Sequence, residues 1–415
     1  MKPEIMAPVG SFESLAAAIN AGCDSVFFGV EQLNMRSRSA HNFTLEEIFE
    51  VSEYCKKAKV RSYITLNVLL YEHDMTLMRK IVDVAKAAGI TAVICQDIAA
   101  IQYARQVEMP VHASTQLSIS NYESVKFYAQ FCDTIVLARE LDLQMIGNIC
   151  KRIEEEGLRG PSGELVKIEV FVHGALCIAQ SGRCHMSILT TNTSAQRGAC
   201  LQECRKKYRI IEEETGNEMV LDNQYVLSPK DLCALPFLDQ VISAGVSVLK
   251  FEGRARSAQY VDTVIRVYRE AVESIELGTF SNEKIEIWME RLRTVYNRGF
   301  CEGYFMGKTL PEWSGASGNR STDERVYVGQ VKHYFDKAQV AELDIRAQEL
   351  KKGDHFVVMG KTTGVVYGSV SEMMRDEKSI ESSGKPSTVT IPLKEKVRYN
   401  DHIYLLKKRG AVQDD

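Results

Sequence analysis

Five cysteines, Cys177, Cys184, Cys200, Cys204 and Cys233, fall within 57 residues, with six, fifteen, three and twenty-eight residues between neighbours. Thiolates are soft ligands, and four of them in one neighbourhood suit an iron-sulfur cluster or a structural zinc ion. Structural zinc sites usually present two close cysteine pairs, and only Cys200 and Cys204 form one here, so the spacing leaves both metals open. A third chemistry is nucleophilic: Cys177 or Cys184, with His173 or His185 as base, has the donors of a thiol hydrolase. A single nucleophile does not account for five gathered thiols. Cys23, Cys55, Cys95, Cys132, Cys150 and Cys301 are scattered through apolar patterns and read as small buried hydrophobes.

No charged segment followed by an apolar run opens the chain, and no stretch approaches the roughly 20 apolar residues of a membrane span. The expectation is a cytoplasmic protein without membrane contact, where disulfides are rare and clustered thiols serve metal or redox chemistry. With 51 Lys+Arg against 55 Asp+Glu the net charge is −4, which excludes an indiscriminate polyanion binder but not a local basic patch. Two basic places stand out. Lys206, Lys207 and Arg209 follow Cys204, and residues 394–409 hold six Lys and Arg against Glu395 and Asp401, with Tyr399 and Tyr404 interleaved. Such a run suits phosphate contact and base stacking, and a solvated sheet surface would carry it equally well.

The elements that must position these residues show in the periodicity. Short apolar or β-branched runs at 4–8, 25–30, 62–67, 92–96, 111–115, 134–138 and 168–173 alternate with helical segments, and an eighth at 247–252 follows an interruption of some seventy residues. Eight βα units predict a (β/α)8 TIM-like barrel over 1–297, with the cysteines in an insertion before the last strand. An open doubly wound sheet is the runner-up, but no glycine-rich dinucleotide fingerprint follows any strand. Residues 298–323, rich in Gly, Ser and turn formers, read as a linker. Period-two runs at 326–328, 338–343, 355–359, 364–370, 388–391 and 402–406 then predict a small C-terminal β-barrel over 324–410.

Active sites of such barrels lie at the C-terminal strand ends. Those ends carry Asn67, Asp97, Gln116, Arg139, Glu140, His173, Lys250, Glu252 and Arg254, with Arg256 just beyond. His173, Glu140 and Asp97 are the candidates for moving protons. Asn67, Gln116, Arg139, Lys250, Glu252, Arg254 and Arg256 are the candidates for holding substrate, the cations through paired bonds to carboxylates.

The segment Glu169-Val170-Phe171-Val172-His173-Gly174-Ala175-Leu176-Cys177, followed by Gly182-Arg183-Cys184 and Ser187, resembles the signature of the collagenase-like peptidase family. The likeness extends to Ala7-Pro8-Val9-Gly10, Asn42-Phe43, His112 to Gln116, Arg139-Glu140, Arg197-Gly198-Ala199-Cys200, Ser228 to Cys233, and Lys250 to Arg254 with Ser257. Despite its name, the family includes oxygen-independent hydroxylases of a tRNA wobble uridine, of a ribosomal RNA cytidine and of a ubiquinone precursor. The resemblance implies a 4Fe-4S cluster and, for the RNA enzymes, prephenate as the source of the hydroxyl group. Its ligands would be Cys177, Cys184, Cys200 and Cys233, with Cys204 as the alternative, because one branch uses a Cys-x3-Cys pair. A cysteine-bearing barrel followed by a small β-barrel is the pattern of the tRNA branch, so tRNA is the expected partner. A second copy or a paralogous subunit is a further one. The competing expectation is a collagenase-like thiol or metallo-peptidase.

Overall fold

The computed structural model describes residues 2–209, 211–216, 227–307, 312–315 and 318–410. The apolar runs form strands β1 (Glu4–Pro8), β2 (Ser25–Gly29), β3 (Arg61–Leu66), β4 (Ala92–Cys95), β5 (Val111–Ala113), β6 (Thr134–Val136), β7 (Lys167–Ala175), β8 (Asp231–Cys233) and β9 (Val248–Phe251). The amphipathic segments between and after them form α1 (Phe12–Asn20), α2 (Glu47–Ala58), α3 (Met75–Ala88), α4 (Ile98–Gln106), α5 (Tyr122–Tyr128), α6 (Leu143–Glu155), α7 (Met186–Thr191), α8 (Leu238–Ser243), α9 (Ala258–Glu276) and α10 (Asn282–Thr294). Side chains of Ser11, Asn121, Asp142 and Ser257 accept from first-turn amides of α1, α5, α6 and α9, which otherwise lack partners inside the helix.

Strands β1 to β7 pair in parallel in chain order, and β9 pairs in parallel with both β1 and β7. The sheet therefore closes into an eight-stranded TIM-like barrel, which removes the open-sheet alternative. Strand β8 stands outside the ring, antiparallel on the end of β7. Ile5, Val26, Phe28, Ile64 and Leu66 face outward and pack into the main core, while Met6, Phe27, Tyr63, Ala92, Ile94 and Val248 form a smaller cluster. Covering both faces explains why these strands read as nearly continuous apolar runs.

Period-two alternation also sends polar side chains into the lumen. Lys250 Nζ lies 2.6 Å from Glu169 Oε1, with both side chains almost fully buried. On the same carboxylate, Oε2 is 3.7 Å from His112 Nδ1. Burial pulls the Glu169 carboxyl upward, but Lys250 and His112 together outweigh it and hold the group below the usual carboxylate range. Below them Tyr63 Oη donates to Glu4 Oε1 at 3.0 Å.

After α10, the short β10 (Phe300–Cys301) pairs with β8, and Arg298 lies buried with Nη1 3.3 Å from Asp231 Oδ1. Part of the segment read as a linker is thus packed against the cysteine-bearing insertion. The C-terminal unit comprises β11 (Asp323–Phe335), β12 (Val340–Ile345), β13 (His355–Gly360), β14 (Gly364–Ser369), β15 (Met374–Arg375), β16 (Lys378–Ser379), β17 (Ser387–Pro392) and β18 (His402–Lys408). They form an antiparallel sheet in the order β14-β13-β18-β11-β12-β17-β15-β16 around Val328, Leu343, Phe356, Ile391 and Ile403. The six expected strands are present, and the hairpin β15–β16 adds two that are too short to show a period. The sheet sits on α1 and α9 through Ala17, Ala258, Val357, Met359 and Val365. Gly364, at φ +71°, lets this contact close, since a Cβ there would stand 2.9 Å from the Ala17 nitrogen.

Glu169→Gln leaves the Lys250 ammonium buried without its counter-charge, a change that typically costs about 3–5 kcal/mol. Urea denaturation should show a loss of that size, and the double substitution Lys250→Met/Glu169→Leu should recover most of it. Unchanged stability in Glu169→Gln would show that the pair does not hold the lumen together.

Candidate functional site

At the C-terminal ends of the strands the loops enclose a bowl. Its lining comes from the loops after β2 (Met35, Arg36), β3 (Asn67), β5 (Ser114, Thr115, Gln116), β6 (Arg139), β7 (Leu176, Cys177) and β9 (Glu252, Arg254), and from the insertion (Ser181, Cys200, Cys204, Arg205). Lys250, Phe27 and Phe171 rise from the lumen to form its floor.

Cys177, Cys200 and Cys204 line the bowl, and Cys184 stands close enough to act on Cys204 electrostatically. Burial pushes the Cys204 thiol up to about 11, opposed by Arg205 and reinforced by Cys177, Cys200 and Cys184. These four are exposed or partly exposed, whereas the seven remaining cysteines are buried. Among the described residues no three His, Cys, Asp or Glu side chains converge as the shell of a single ion would require. A four-iron cube takes one thiolate at each of four corners, and a zinc ion takes four around one centre, so the gathered thiols are donors that either could use.

Five cations, Arg36, Arg139, Arg205, Lys250 and Arg254, line the bowl against one carboxylate, Glu252, among the described lining residues. Arg36 Nη2 is 3.2 Å from Glu252 Oε1, and Arg139 Nη2 is 3.9 Å from Oε2. Burial works to raise the Glu252 carboxyl, but Arg36, Arg139 and Arg254 prevail and keep it ionised. Arg254 has only neutral hydrogen-bond partners, Thr65 Oγ1 at 3.2 Å and Asn34 Oδ1 at 3.0 Å, and burial lowers it to about 10. Arg139 lies 3.8 Å from the centre of the Phe171 ring and donates to the Ala175 carbonyl at 2.8 Å. Arg205 donates to the carbonyls of Leu176 and Pro229, tying the Cys177 loop to the approach of β8. Fixed positive charge in a half-enclosed bowl concentrates anions.

One wall is neutral and polar. Asn67 Nδ2 donates to Gln116 Oε1 at 3.3 Å, Ser114 Oγ donates to the same oxygen, and Asn67 Oδ1 accepts from the Met35 amide at 3.2 Å. Thr115 and Ser181 join hydroxyls at 3.3 Å across the mouth.

The structure thus brings Asn67, Gln116, Arg139, Lys250, Glu252, Arg254, Cys177, Cys200 and Cys204 together, with Cys184 beside them. It does not bring the others. Asp97 caps α4 through the Ala99 amide and holds the Leu70 amide, so its carboxylate is spent on backbone. Glu140 is exposed and is absent from the described lining. Arg256 stacks over Tyr296 outside the bowl, with Cζ 3.5 Å from the ring centre. His173 is turned out of the lumen by a bulge: Phe171 pairs with Lys250, yet His173, two residues on, pairs with the next residue, Phe251. Its ring lies among Tyr260, Tyr268 and Phe300, and burial lowers it to about 3, so it is neutral. Cys233 pairs with His173 in the same turned-out register. Its Sγ is 3.8 Å from Tyr268 Oη and 3.7 Å from Met289 Sδ, with Cys301 near, and it is absent from the described lining that Cys177, Cys200 and Cys204 share.

Arg36, Arg205, Asn34 and Glu169 are site residues that strand-end reasoning did not reach. Arg36 and Asn34 sit within the long loop after β2, beyond the strand end itself. Arg205 directly follows Cys204, and Glu169 is a lone acid in an apolar strand, two residues from Phe171 on the lumen face. Both signals were present in the sequence.

Because folded His173 refuses a proton that the unfolded chain accepts near pH 6.5, its contribution makes stability fall as pH drops from about 6.5 toward 3. His173→Phe should make the slope of unfolding free energy against pH, between about 4 and 6, shallower by close to one proton. Equal slopes for the two proteins would contradict a buried neutral imidazole.

The pattern of peptidase family U32 matches residues 10–315. A "Collagenase" of Porphyromonas gingivalis (strain ATCC BAA-308 / W83) is 47% identical over 406 residues, covering 98% of each chain. The "tRNA hydroxylation protein P1" of Bacillus subtilis (strain 168) is 33% identical over 86% of this chain and 84% of its own length. A 23S rRNA 5-hydroxycytidine synthase of Escherichia coli (strain K12) is 30% identical over 66% of this chain and 39% of its own. Relatives named for RNA hydroxylation and relatives named as collagenases therefore share one sequence pattern. The chain belongs to peptidase family U32.

Proposed function

We propose that this chain is an RNA-modifying hydroxylase that forms 5-hydroxyuridine at the wobble position of tRNA without molecular oxygen, using prephenate as hydroxyl donor. The observation that carries this reading is the gathering of Cys177, Cys184, Cys200 and Cys204 at the rim of a bowl lined by five cations. These thiols would hold a 4Fe-4S cluster, which when bound supplies Lewis acidity or electron transfer. The surrounding cations offset the negative charge that four thiolates bring.

The chain's own side chains supply binding and proton handling. Arg36, Arg139, Lys250 and Arg254 match a dicarboxylate such as prephenate, the arginines offering forked donors and Lys250 a point charge at the floor. Exchanging the C5 hydrogen of uridine for the donor's hydroxyl (U–H + R–OH → U–OH + R–H) oxidises the base and reduces the donor by two electrons; Glu252, kept ionised by its arginines, would take the C5 proton and pass it on to the donor. Asn67, Ser114 and Gln116 present hydrogen-bonding groups for the edge of a base splayed from an anticodon loop. The curated names of relatives at 27–33% identity support RNA hydroxylation as the reaction class.

The name "Collagenase" on a more similar relative favours a second reading, a thiol peptidase. That chemistry needs a base beside its nucleophile. No histidine is among the described residues that line the bowl: His173 is sealed behind aromatic rings, and His185, next to Cys184, is exposed outside that lining.

Mass spectrometry of nucleosides from bulk tRNA of a deletion strain tests the proposal. Derivatives of 5-hydroxyuridine should disappear and return on complementation. Unchanged wobble uridine would refute it, as would a change confined to ribosomal RNA or to a quinone precursor. Gelatin cleavage by the iron-free protein, stopped by alkylation, would favour the peptidase.

A further inference from the structure

The loop after β9 leads out of the bowl into two further cavities. Arg254 lines both the bowl and a cavity of about 420 Å³ walled by Gly10, Arg38, His41 and Arg256. Ala255 and Arg256 line in turn a cleft of about 360 Å³ between the barrel and the C-terminal sheet, where the other cations are Arg325 and Arg409. Consecutive residues of one loop therefore border all three cavities, from the bowl to the face beside the second sheet.

Positive charge along these cavities outweighs negative, although other arginines also lack a carboxylate partner. Arg152, Arg266, Arg269, Arg291 and Arg346 each stand against a carboxylate. Arg38, Arg256, Arg325 and Arg409 have no carboxylate partner among the described residues. Arg256 is stacked on Tyr296, Arg325 Nη1 reaches Met359 Sδ at 3.2 Å, and Arg409 Nη1 donates to the Asn319 carbonyl at 2.7 Å. No carboxylate lines the first of the two cavities. In the cleft, Asp323 is taken by Lys408 at 2.8 Å, and Glu324 is exposed. A chain of net charge −4 thus borders the two cavities beside the bowl with four arginines that form no ion pair among the described residues, Glu13 acting on Arg325 only at longer range.

Guanidinium groups with free edges bind phosphate oxygens in pairs, and a row of them along a groove suits a strand of phosphates better than a single one. We propose that the path Arg38–Arg256–Arg325–Arg409 binds the sugar-phosphate backbone of the RNA whose base enters the bowl. The inference rests on the RNA-hydroxylase reading and assigns the surface that holds the substrate. It also gives the C-terminal sheet a task, because two of the four arginines belong to that unit while the other two belong to the barrel.

The test uses the full chain, purified anaerobically, and bulk tRNA, with affinity measured by fluorescence anisotropy between about 50 and 200 mM salt. Arg256→Gln/Arg325→Gln/Arg409→Gln should reduce the slope of log affinity against log salt by about 2, since each lost phosphate contact removes about 0.7–0.9. The matching triple Arg→Lys substitution keeps the charge and should keep most of the slope, which separates lost contact from lost fold. Lys57→Gln/Lys151→Gln/Lys337→Gln, on exposed positions elsewhere, should leave it unchanged. An unaltered slope in the arginine triple, an equal drop in the lysine control, or binding of gelatin in place of tRNA would each overturn the proposal. If the slope stays while the deletion strain loses 5-hydroxyuridine, the path is wrong and the hydroxylase reading stands. If the slope drops while the nucleosides are unchanged, tRNA docks on this path and the hydroxylase reading fails.

Discussion

The double pairing of β9, with β1 on one side and β7 on the other, is the constraint on which the rest of the molecule depends. It joins the two ends of a sheet whose edge strands are far apart in sequence, and such closure must repay a large loop entropy before any contact rewards it. The same short strand then supplies the site. Lys250 points into the lumen, Glu252 and Arg254 line the bowl, and Arg256 turns to the cleft beside the C-terminal sheet. Shifting β9 by one residue against its neighbours would exchange Lys250 for Leu249 or Phe251 in the lumen, leaving buried Glu169 with His112 but without its ammonium partner. The ion pair thus specifies register as well as charge.

A second constraint lies in β7. The bulge opposite Lys250 and Phe251 adds one residue to the strand, and everything after it changes side. His173 leaves the lumen for the aromatic packing of α9, and β8, pairing on that turned-out end, takes Cys233 with it. Cys177 follows on the rim, where the insertion brings back Cys200 and Cys204. One extra residue therefore separates a buried, neutral histidine and thiol from a set of accessible thiols beside cations.

Much of this was legible in the sequence. Strand positions followed from apolar runs because a parallel barrel buries both faces, and the strand-end rule reached Asn67, Gln116, Arg139, Glu252 and Arg254. The rule failed where local geometry overrides it. Asp97 ends a strand but is consumed by the cap of α4, and His173 ends one but lies past a bulge that alternation does not announce. Arg36 was hidden by its place inside a long loop, whose course depends on what it packs against rather than on its own pattern. That Cys204 lines the bowl while Cys233 is buried away from it shows only in three dimensions, because both follow Cys200 at spacings that a cluster accepts.

Iron content tests the central arrangement most directly. Protein purified anaerobically should be brown and hold about four irons per chain. Cys204→Ser should lose iron and the visible absorption of the cluster, while Cys233→Ser should keep both, since its sulfur faces Tyr268 and Met289. The reverse outcome, iron retained without Cys204 and lost without Cys233, would contradict the grouping of thiols described for the mouth of the barrel.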